Sequence, residues 1–194
     1  MQKLSREELF SLEQYAEQRP EFRQRVLMHK QPRRVAVGEA LVLYFEDRLT
    51  IQYQIQEMLR IEKIFEANGI MEELDTYNPL IPDGNNLKVT AMLEYKEVEE
   101  RKQRLSELRG LEDLVWLQVT GHKKVFSIAN EDLERSNAEK TSAVHFMRFE
   151  FSPGMIADLT AGQALFAGCD HPNYPAAITE LNNSNINSLL KDFG

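Results

Sequence analysis

The stretch from Thr50 to Gly69, TIQYQIQEMLRIEKIFEANG, places charged groups where they could act together. Turned at about 100° per residue, Ile51, Ile55, Met58, Leu59 and Phe65 form one apolar arc. Glu62 falls inside that arc, Gln54 lies at its edge, and Glu57 and Arg60 stand on its flank. An inward carboxylate with no partner is costly, or else it takes up a proton. A cation must therefore meet Glu62. Arg33 and Arg34, just ahead of an expected core strand, are the candidates, because a guanidinium grips a carboxylate at two points. Two readings stay open. In one, an Arg–Glu network fixes how the helix packs on the sheet. In the other, Glu57, Arg60 and Glu62 face a ligand or metal in a pocket.

A second set of chemically capable residues sits in CDHPNYP, where two prolines stiffen a loop carrying Asp170, His171 and Tyr174. His171 could exchange a proton near neutral pH if Asp170 oriented it. The alternative is an Asp that caps the turn, with the His and Tyr packed on the surface. Cys169, the one cysteine, follows the apolar ALFAG and is expected as a buried thiol. The four histidines, His29, His122, His145 and His171, show no i,i+2 or i,i+4 pairing and no E-x-x-H motif, so spacing assigns no metal ligands. A metal site would need distant segments, for instance Glu57, Glu62 and His171. His145 alternates in phase with Met147, Phe149 and Phe151 and is expected in the core. No phosphate-cradling glycine loop, P-loop or G-x-S-x-G is present, which argues against the familiar nucleotide-dependent and serine-hydrolase chemistries.

The elements that must position these residues follow from local signals. Ser5 with Glu8 is a capping box for a first helix, and Pro20 is placed to open a second after a break at Gln18-Arg19. RRVAV and ALVLYF (40–45) read as a hairpin around Gly38, the second strand buried on both faces. Thr50 can cap the central helix and Gly69 can end it; EELDTY can add a helical turn. NPLIPDGNN is a loop, and LKVTAMLEY (87–95) alternates as a strand. KEVEERKQRLSELRG is a charged helix with Val98, Leu105 and Leu108 as its thin apolar stripe. LVWLQVTG (114–121) and VHFMRFEF (144–151) are strands, joined by an aperiodic connection over 129–142. A short helix from Ser152-Pro153, a strand in QALFAG, and a loop with a terminal helix complete the order. Hairpins mixed with crossovers predict an α+β fold, a mixed, largely antiparallel sheet flanked by helices with a helical N-terminus, as a single domain over 1–194 with the 1–34 segment packed on it.

Composition bounds the function. The chain has 194 residues, 28% of them charged, and a net charge of −8. The charge is uneven: residues 1–34 balance to +3 and the remainder to −11. The basic cluster FRQRVLMHKQPRR is expected to pair with the protein's own acidic elements, since nucleic-acid binders are rarely acidic overall. No apolar run approaches membrane-spanning length, no signal core is present, and a lone cysteine forms no intrachain disulfide, so a cytoplasmic setting is expected.

The block RRVAVGEALVLYFEDRLTIQYQIQEMLRIEKIFE…EELDTYNPLIPDG resembles an uncharacterised bacterial family, a domain of unknown function of about this length, and VHFMRFEFSPGMIADLTAGQALFAGCDHPNYP resembles its C-terminal signature. The resemblance implies no established activity. It implies polar family positions at Arg33, Arg34, Glu46, Arg48, Gln54, Glu57, Arg60, Glu62, Asp170, His171 and Tyr174. It also implies a redox or peroxide-stress context, because members are often encoded beside rubrerythrin-like and iron–sulfur reductase-like proteins. Two functions are therefore carried forward. The first is a non-catalytic accessory or interaction protein serving a redox partner, with neither nucleic acid nor membrane as a target and a homodimer as the base-rate expectation. The second is a small ligand- or metal-binding enzyme whose site joins the Glu57/Arg60/Glu62 helix to the Asp170-His171 loop. No cofactor is assigned.

Overall fold

The hairpin expected around Gly38 forms, with strand β1 (Arg34–Val37) antiparallel to β2 (Leu41–Glu46) and Gly38 at φ +69° in the left-handed region. The structure, a computed structural model, describes residues 2–131, 135 and 140–194. Half of the aperiodic connection expected over 129–142, residues 132–134 and 136–139, lies outside the described residues.

Strands β1, β2, β3 (Asn86–Leu93), β7 (Val144–Glu150) and β6 (Ile128–Ala129) form one sheet in that order. A second sheet has the order β5-β4-β8-β9, from Val125–Phe126, Val115–Val119, Leu165–Cys169 and Ala177–Glu180. Every named strand pair is antiparallel, and the class is α+β, as expected. One apolar cluster joins the inner faces of both sheets: Leu43, Phe45, Val89 and Phe149 from the first, Leu117 and Leu165 from the second. Each such side chain contributes about 1.5–3 kcal/mol by leaving water.

The helical N-terminus departs from expectation in detail. The Ser5/Glu8 capping box closes only a 3-10 turn, Arg6–Glu8. Helix α1 (Leu12–Lys30) starts instead from a Ser11/Gln14 box and runs through Pro20 without a break. Proline deletes the bond to the Ala16 carbonyl, but Ala16 and Pro20 are exposed, so water can serve that oxygen. Tyr15, Phe22 and Val26 are the buried stripe of α1, against Phe10, Leu49 and Tyr53.

The central helix is also not the one expected. Helix α2 is Arg48–Glu62, capped by Asp47 rather than Thr50; the Asp47 carboxylate accepts from the Leu49 and Thr50 amides at 3.0 Å. It stops at Lys63, which sits in the left-handed region at φ 57°. The Lys63 amide donates to the Leu59 carbonyl, and so does the Ile64 amide at 2.9 Å, while Ile64 packs into the cluster around Leu59. This is a Schellman ending with lysine where glycine is usual. Helix α3 (Ala67–Tyr77) follows, so Gly69 lies inside a second helix and Phe65, in the connection, is 70% exposed.

The remaining helices are α4 (Val98–Glu107), α5 (Pro153–Thr160) and α6 (Asn183–Leu189). Leu105 and Leu108 of the expected α4 stripe are buried, but Val98, at its first residue, is exposed. Among the described residues no helix is long and apolar enough to cross a membrane.

Candidate functional site

Glu62 is not inward. It is exposed at the last residue of α2 and makes no hydrogen bond or ion pair among the described residues. Its angle matches that of Ile51, Ile55 and Leu59, which are buried. Its position along the axis does not: the helix ends there, and Ile64 folds back to take the buried place. The charge that feels Glu62 is another carboxyl, Glu73 of α3, which burial and then Glu62 raise above its ordinary range. The expected pairing of Glu62 with Arg33 or Arg34 is therefore absent.

Both arginines have other partners. Arg34 is exposed, donating to the Tyr44 hydroxyl at 3.2 Å and to Glu94 at 3.4 Å. Arg33 is 1% exposed in the 3-10 turn Gln31–Arg33 that joins α1 to β1. Its Nε donates to the Phe45 carbonyl at 2.9 Å and its Nη2 to the Glu46 carbonyl at 3.0 Å and to Asp192 Oδ2 at 2.5 Å. Its Nη1 reaches the Ser188 carbonyl and hydroxyl at 3.3 Å and lies 3.5 Å from Asp47 Oδ2. Asp47 also takes His29 Nε2 at 2.5 Å. One guanidinium thus ties the end of β2, the cap of α2, α6 and the C-terminal turn. The two carboxylates divide unequally. Burial pushes Asp47 up, but Arg33, the Thr50 amide and His29 outweigh it, and the net shift is down. Asp192 Oδ1 has no hydrogen-bond partner among the described residues, and burial raises that carboxyl to about 6 despite Arg33. Neither Asp47, Asp192 nor His29 was singled out by sequence. The D-x-x-T box of Asp47 and Thr50 was a readable signal; Asp192, in the tail, carried none.

Glu57 is a junction between α1 and α2. Arg19 clasps it with Nε at 2.7 Å and Nη2 at 2.9 Å, the Tyr15 hydroxyl donates at 2.8 Å, and Arg60 approaches at 3.2 and 3.4 Å. Hydrogen bonding from Arg19, ahead of that from Tyr15 and Arg60, holds its pKa down at about 2. Glu46 accepts the hydroxyls of Thr50 at 2.5 Å and Thr90 at 2.7 Å, and Arg48 reaches Glu8 and the Gln2 carbonyl. Gln54 is half-buried without a hydrogen bond among the described residues. Its neighbour Gln56, which sequence reasoning passed over, is fully buried and clamps the Phe10 amide at 2.6 Å and carbonyl at 3.3 Å.

The CDHPNYP loop is similarly occupied. Asp170 accepts from Trp116 Nε1 at 2.7 Å and from Lys124 at 2.8 and 2.9 Å, and the Lys124 bond leads the causes that lower its pKa. It does not touch His171, which is buried rather than on the surface. His171 Nε2 donates to the Arg109 carbonyl at 3.0 Å, and Nδ1 accepts from the Asn173 amide at 3.2 Å. Those partners fix the neutral tautomer and use both nitrogens. Tyr174 is buried too; its hydroxyl donates to the Val37 carbonyl at 2.5 Å and accepts from the Leu41 amide at 2.9 Å and the Ala40 amide at 3.3 Å. This phenol pins the loop of the second sheet to the hairpin of the first, and a Cβ on Gly38 would stand 3.0 Å from it. Cys169 is buried, and burial pushes its thiol up against the favourable His171 amide. His145 is a core residue, bonded through Nε2 to the Ser142 carbonyl at 3.0 Å and the Thr141 hydroxyl at 2.9 Å.

The two halves of the expected helix–loop site do not converge. A hollow of about 420 Å³ beside α2 is walled by Leu12, Leu59, Ile64 and Phe65 but not by Glu57, Arg60 or Glu62. A depression at residues 169–176 is lined by that loop alone. Among the described residues no three His, Cys, Asp or Glu side chains are grouped to hold a metal ion.

No curated protein matches the chain. A crystal structure described as a novel protein of unknown function from Burkholderia pseudomallei is 49% identical, with a TM-score of 0.95 over 100% of both chains. The profile of a family described as Protein of unknown function (DUF3501) matches residues 3–193. With that match from end to end and a relative of nearly superimposable fold, the chain belongs to the DUF3501 family.

Proposed function

We propose that this chain is a non-catalytic accessory or interaction protein, working in the cytoplasm as one α+β domain and serving a redox or oxidative-stress system. One observation carries the reading. The polar groups best suited to chemistry are engaged inside the chain: Glu57 by three residues, His171 at both nitrogens, Tyr174 by three backbone groups, and Asp170 by Trp116 and Lys124. An acid–base catalyst needs a proton-carrying atom within reach of substrate. These residues serve instead as joints between elements.

The α2–α3 connection and its flanks meanwhile expose Ile61, Phe65 and Met71, large apolar side chains suited to a protein partner. The redox setting rests on what the family resemblance implies, an encoding beside rubrerythrin-like and iron–sulfur reductase-like proteins, and the proposed partner is one of these. The net charge of −8 disfavours nucleic acid. The test is direct binding. The purified chain is immobilised, and the neighbouring rubrerythrin-like and reductase-like proteins are passed over it; saturable binding to at least one is expected. Binding to neither, or stoichiometric iron, zinc or manganese in the purified chain by mass spectrometry, overturns the reading.

A further inference from the structure

The outer face of the first sheet carries an ammonium, Lys88, that is bonded to no carboxylate among the described residues. Along β3 and β7 the inward residues are Val89, Ala91, Met147 and Phe149, so alternation turns Lys88, Thr90, Phe146 and Arg148 outward. Lys88 and Arg148 stand directly opposite each other in the antiparallel register. Like charges so placed destabilise a sheet. Lys88 is half-buried and makes no hydrogen bond or ion pair among the described residues.

The described carboxylates nearest it have other partners; Asp83 accepts from Asn86 at 2.6 Å. Glu46, its register partner on β2, accepts the Thr50 and Thr90 hydroxyls. Glu131 is clasped by Arg148 at 2.7 and 2.8 Å, and Glu150 accepts from Arg148 and from Asn86 at 3.0 Å. Desolvation, reinforced by Arg148, outweighs Asp83, Glu131 and Glu150, which push the Lys88 pKa up, and the net shift is down. Beside this amine is a cleft of about 620 Å³ between the sheet and the end of α3, walled by Tyr77, Leu80, Ile128 and Phe146 and also by Asp75, Glu131 and Arg135, whose guanidinium lies 4.5 Å from the Phe146 ring centre. That size, with apolar walls and a few placed charges, is the make-up of a small-molecule site.

We propose that this cleft binds a small organic anion with an aromatic or apolar body, its acid group taken by the Lys88 ammonium and its body lying against Tyr77, Leu80 and Phe146. Lys88 supplies the charge; the apolar walls supply affinity that does not depend on charge. The inference is independent of the accessory role, since it concerns a small ligand and not a protein partner.

The test compares 2-naphthoate with its uncharged analogue 2-naphthylmethanol, by titration calorimetry and by amide chemical-shift mapping on the full-length chain. The acid is expected to bind at least about tenfold more tightly than the alcohol, equivalent to about 1.4 kcal/mol. Its shift changes are expected at Lys88, Phe146 and Arg148. The preference is expected to vanish in Lys88→Met and to persist in Lys88→Arg. Equal binding of acid and alcohol, no binding of either, shift changes centred elsewhere, or an acid preference that survives in a folded Lys88→Met each overturns the proposal. Should Lys88→Met fail to fold, the wild-type ratio, the shift map and Lys88→Arg decide it.

Discussion

Gly168→Ala should destabilise this protein far more than a methyl group usually does. Gly168 of β8 lies opposite Trp116 of β4, and a Cβ added there would stand 2.2 Å from Trp116 Cζ2 and 2.6 Å from Cε2. The φ of Gly168 is not positive, so alanine meets no backbone penalty and the whole cost is contact. The indole cannot simply give way. It is 1% exposed, its Nε1 is held by Asp170, and Lys124 sits 4.1 Å above the ring. Overpacking costs about 1–3 kcal/mol, and loss of a hydrogen bond to a carboxylate about 1.5–3 kcal/mol, the lower end applying to a partly exposed Asp. The stiffer unfolded chain returns about 0.4–1 kcal/mol. The net is a loss of about 3 kcal/mol, or a fall in Tm of about 6–12 °C for a chain of this size. Because Trp116 is the sole tryptophan, emission reports this site alone and should move to longer wavelength in the folded variant. In a Trp116→Phe background, which removes the clashing atoms, the same substitution should cost under about 1 kcal/mol by thermal circular dichroism. A Tm within about 2 °C of wild type with unchanged emission would refute the reasoning.

Three further outcomes follow from the polar joints. Tyr174→Phe strips the hydroxyl from the Val37 carbonyl and the Leu41 amide and should cost about 1–3 kcal/mol in urea unfolding. Glu57→Gln should cost about 1–2 kcal/mol at pH 7, after discounting for the exposure of Arg19. Because the folded pKa of Glu57 is lowered to about 2, that advantage of wild type is present above pH 4.5 and should disappear as pH falls toward 2. Asp192 has the opposite sign: its folded pKa is raised from 3.8 to about 6 amid Arg33, Asp47 and His29, so its contribution is complete below pH 3.8 and is lost as pH rises to 6. Wild type should therefore lose on the order of 3 kcal/mol relative to Asp192→Asn across that window, whatever the constant offset between them; a flat difference in unfolding free energy from pH 4 to 6 would contradict it.

Much of the fold was legible because it rests on local periodicity. The alternation of Leu87, Val89, Ala91 and Leu93 is the buried face of β3, and the unbroken run of β2 is buried almost throughout because its two faces both meet protein. What escaped were features without a period of their own. Strands β5 and β6 are two residues each, and β9 alternates only between half-buried and exposed positions in a polar segment. Pro20 reads locally as a helix starter, whereas the helix bears it where the orphaned carbonyl faces water. Glu62 misled for a geometric reason: a helical wheel records angle and discards height, and Glu62 shares its angle with buried residues one and two turns below while standing at the helix end.

The Arg33 centre shows where such reading stops. Residue type and context were informative: an arginine closing a basic cluster ahead of a core strand suits burial, and a buried guanidinium requires an anion. The demand can be read from a few neighbouring residues, but the supplier cannot. Asp192 is 159 positions away, and it reaches Arg33 only because α6 and the following turn dock beside the end of β2. Tyr174 repeats the pattern, meeting the Val37 carbonyl across 137 positions. In both cases the polar residue answers an unpaired backbone or charged group created by another segment, so its partner is decided by how the sheets and termini close. An amphipathic pattern carries no information about that closure, which is why the nearer Glu62 looked like the partner and the distant Asp192 is.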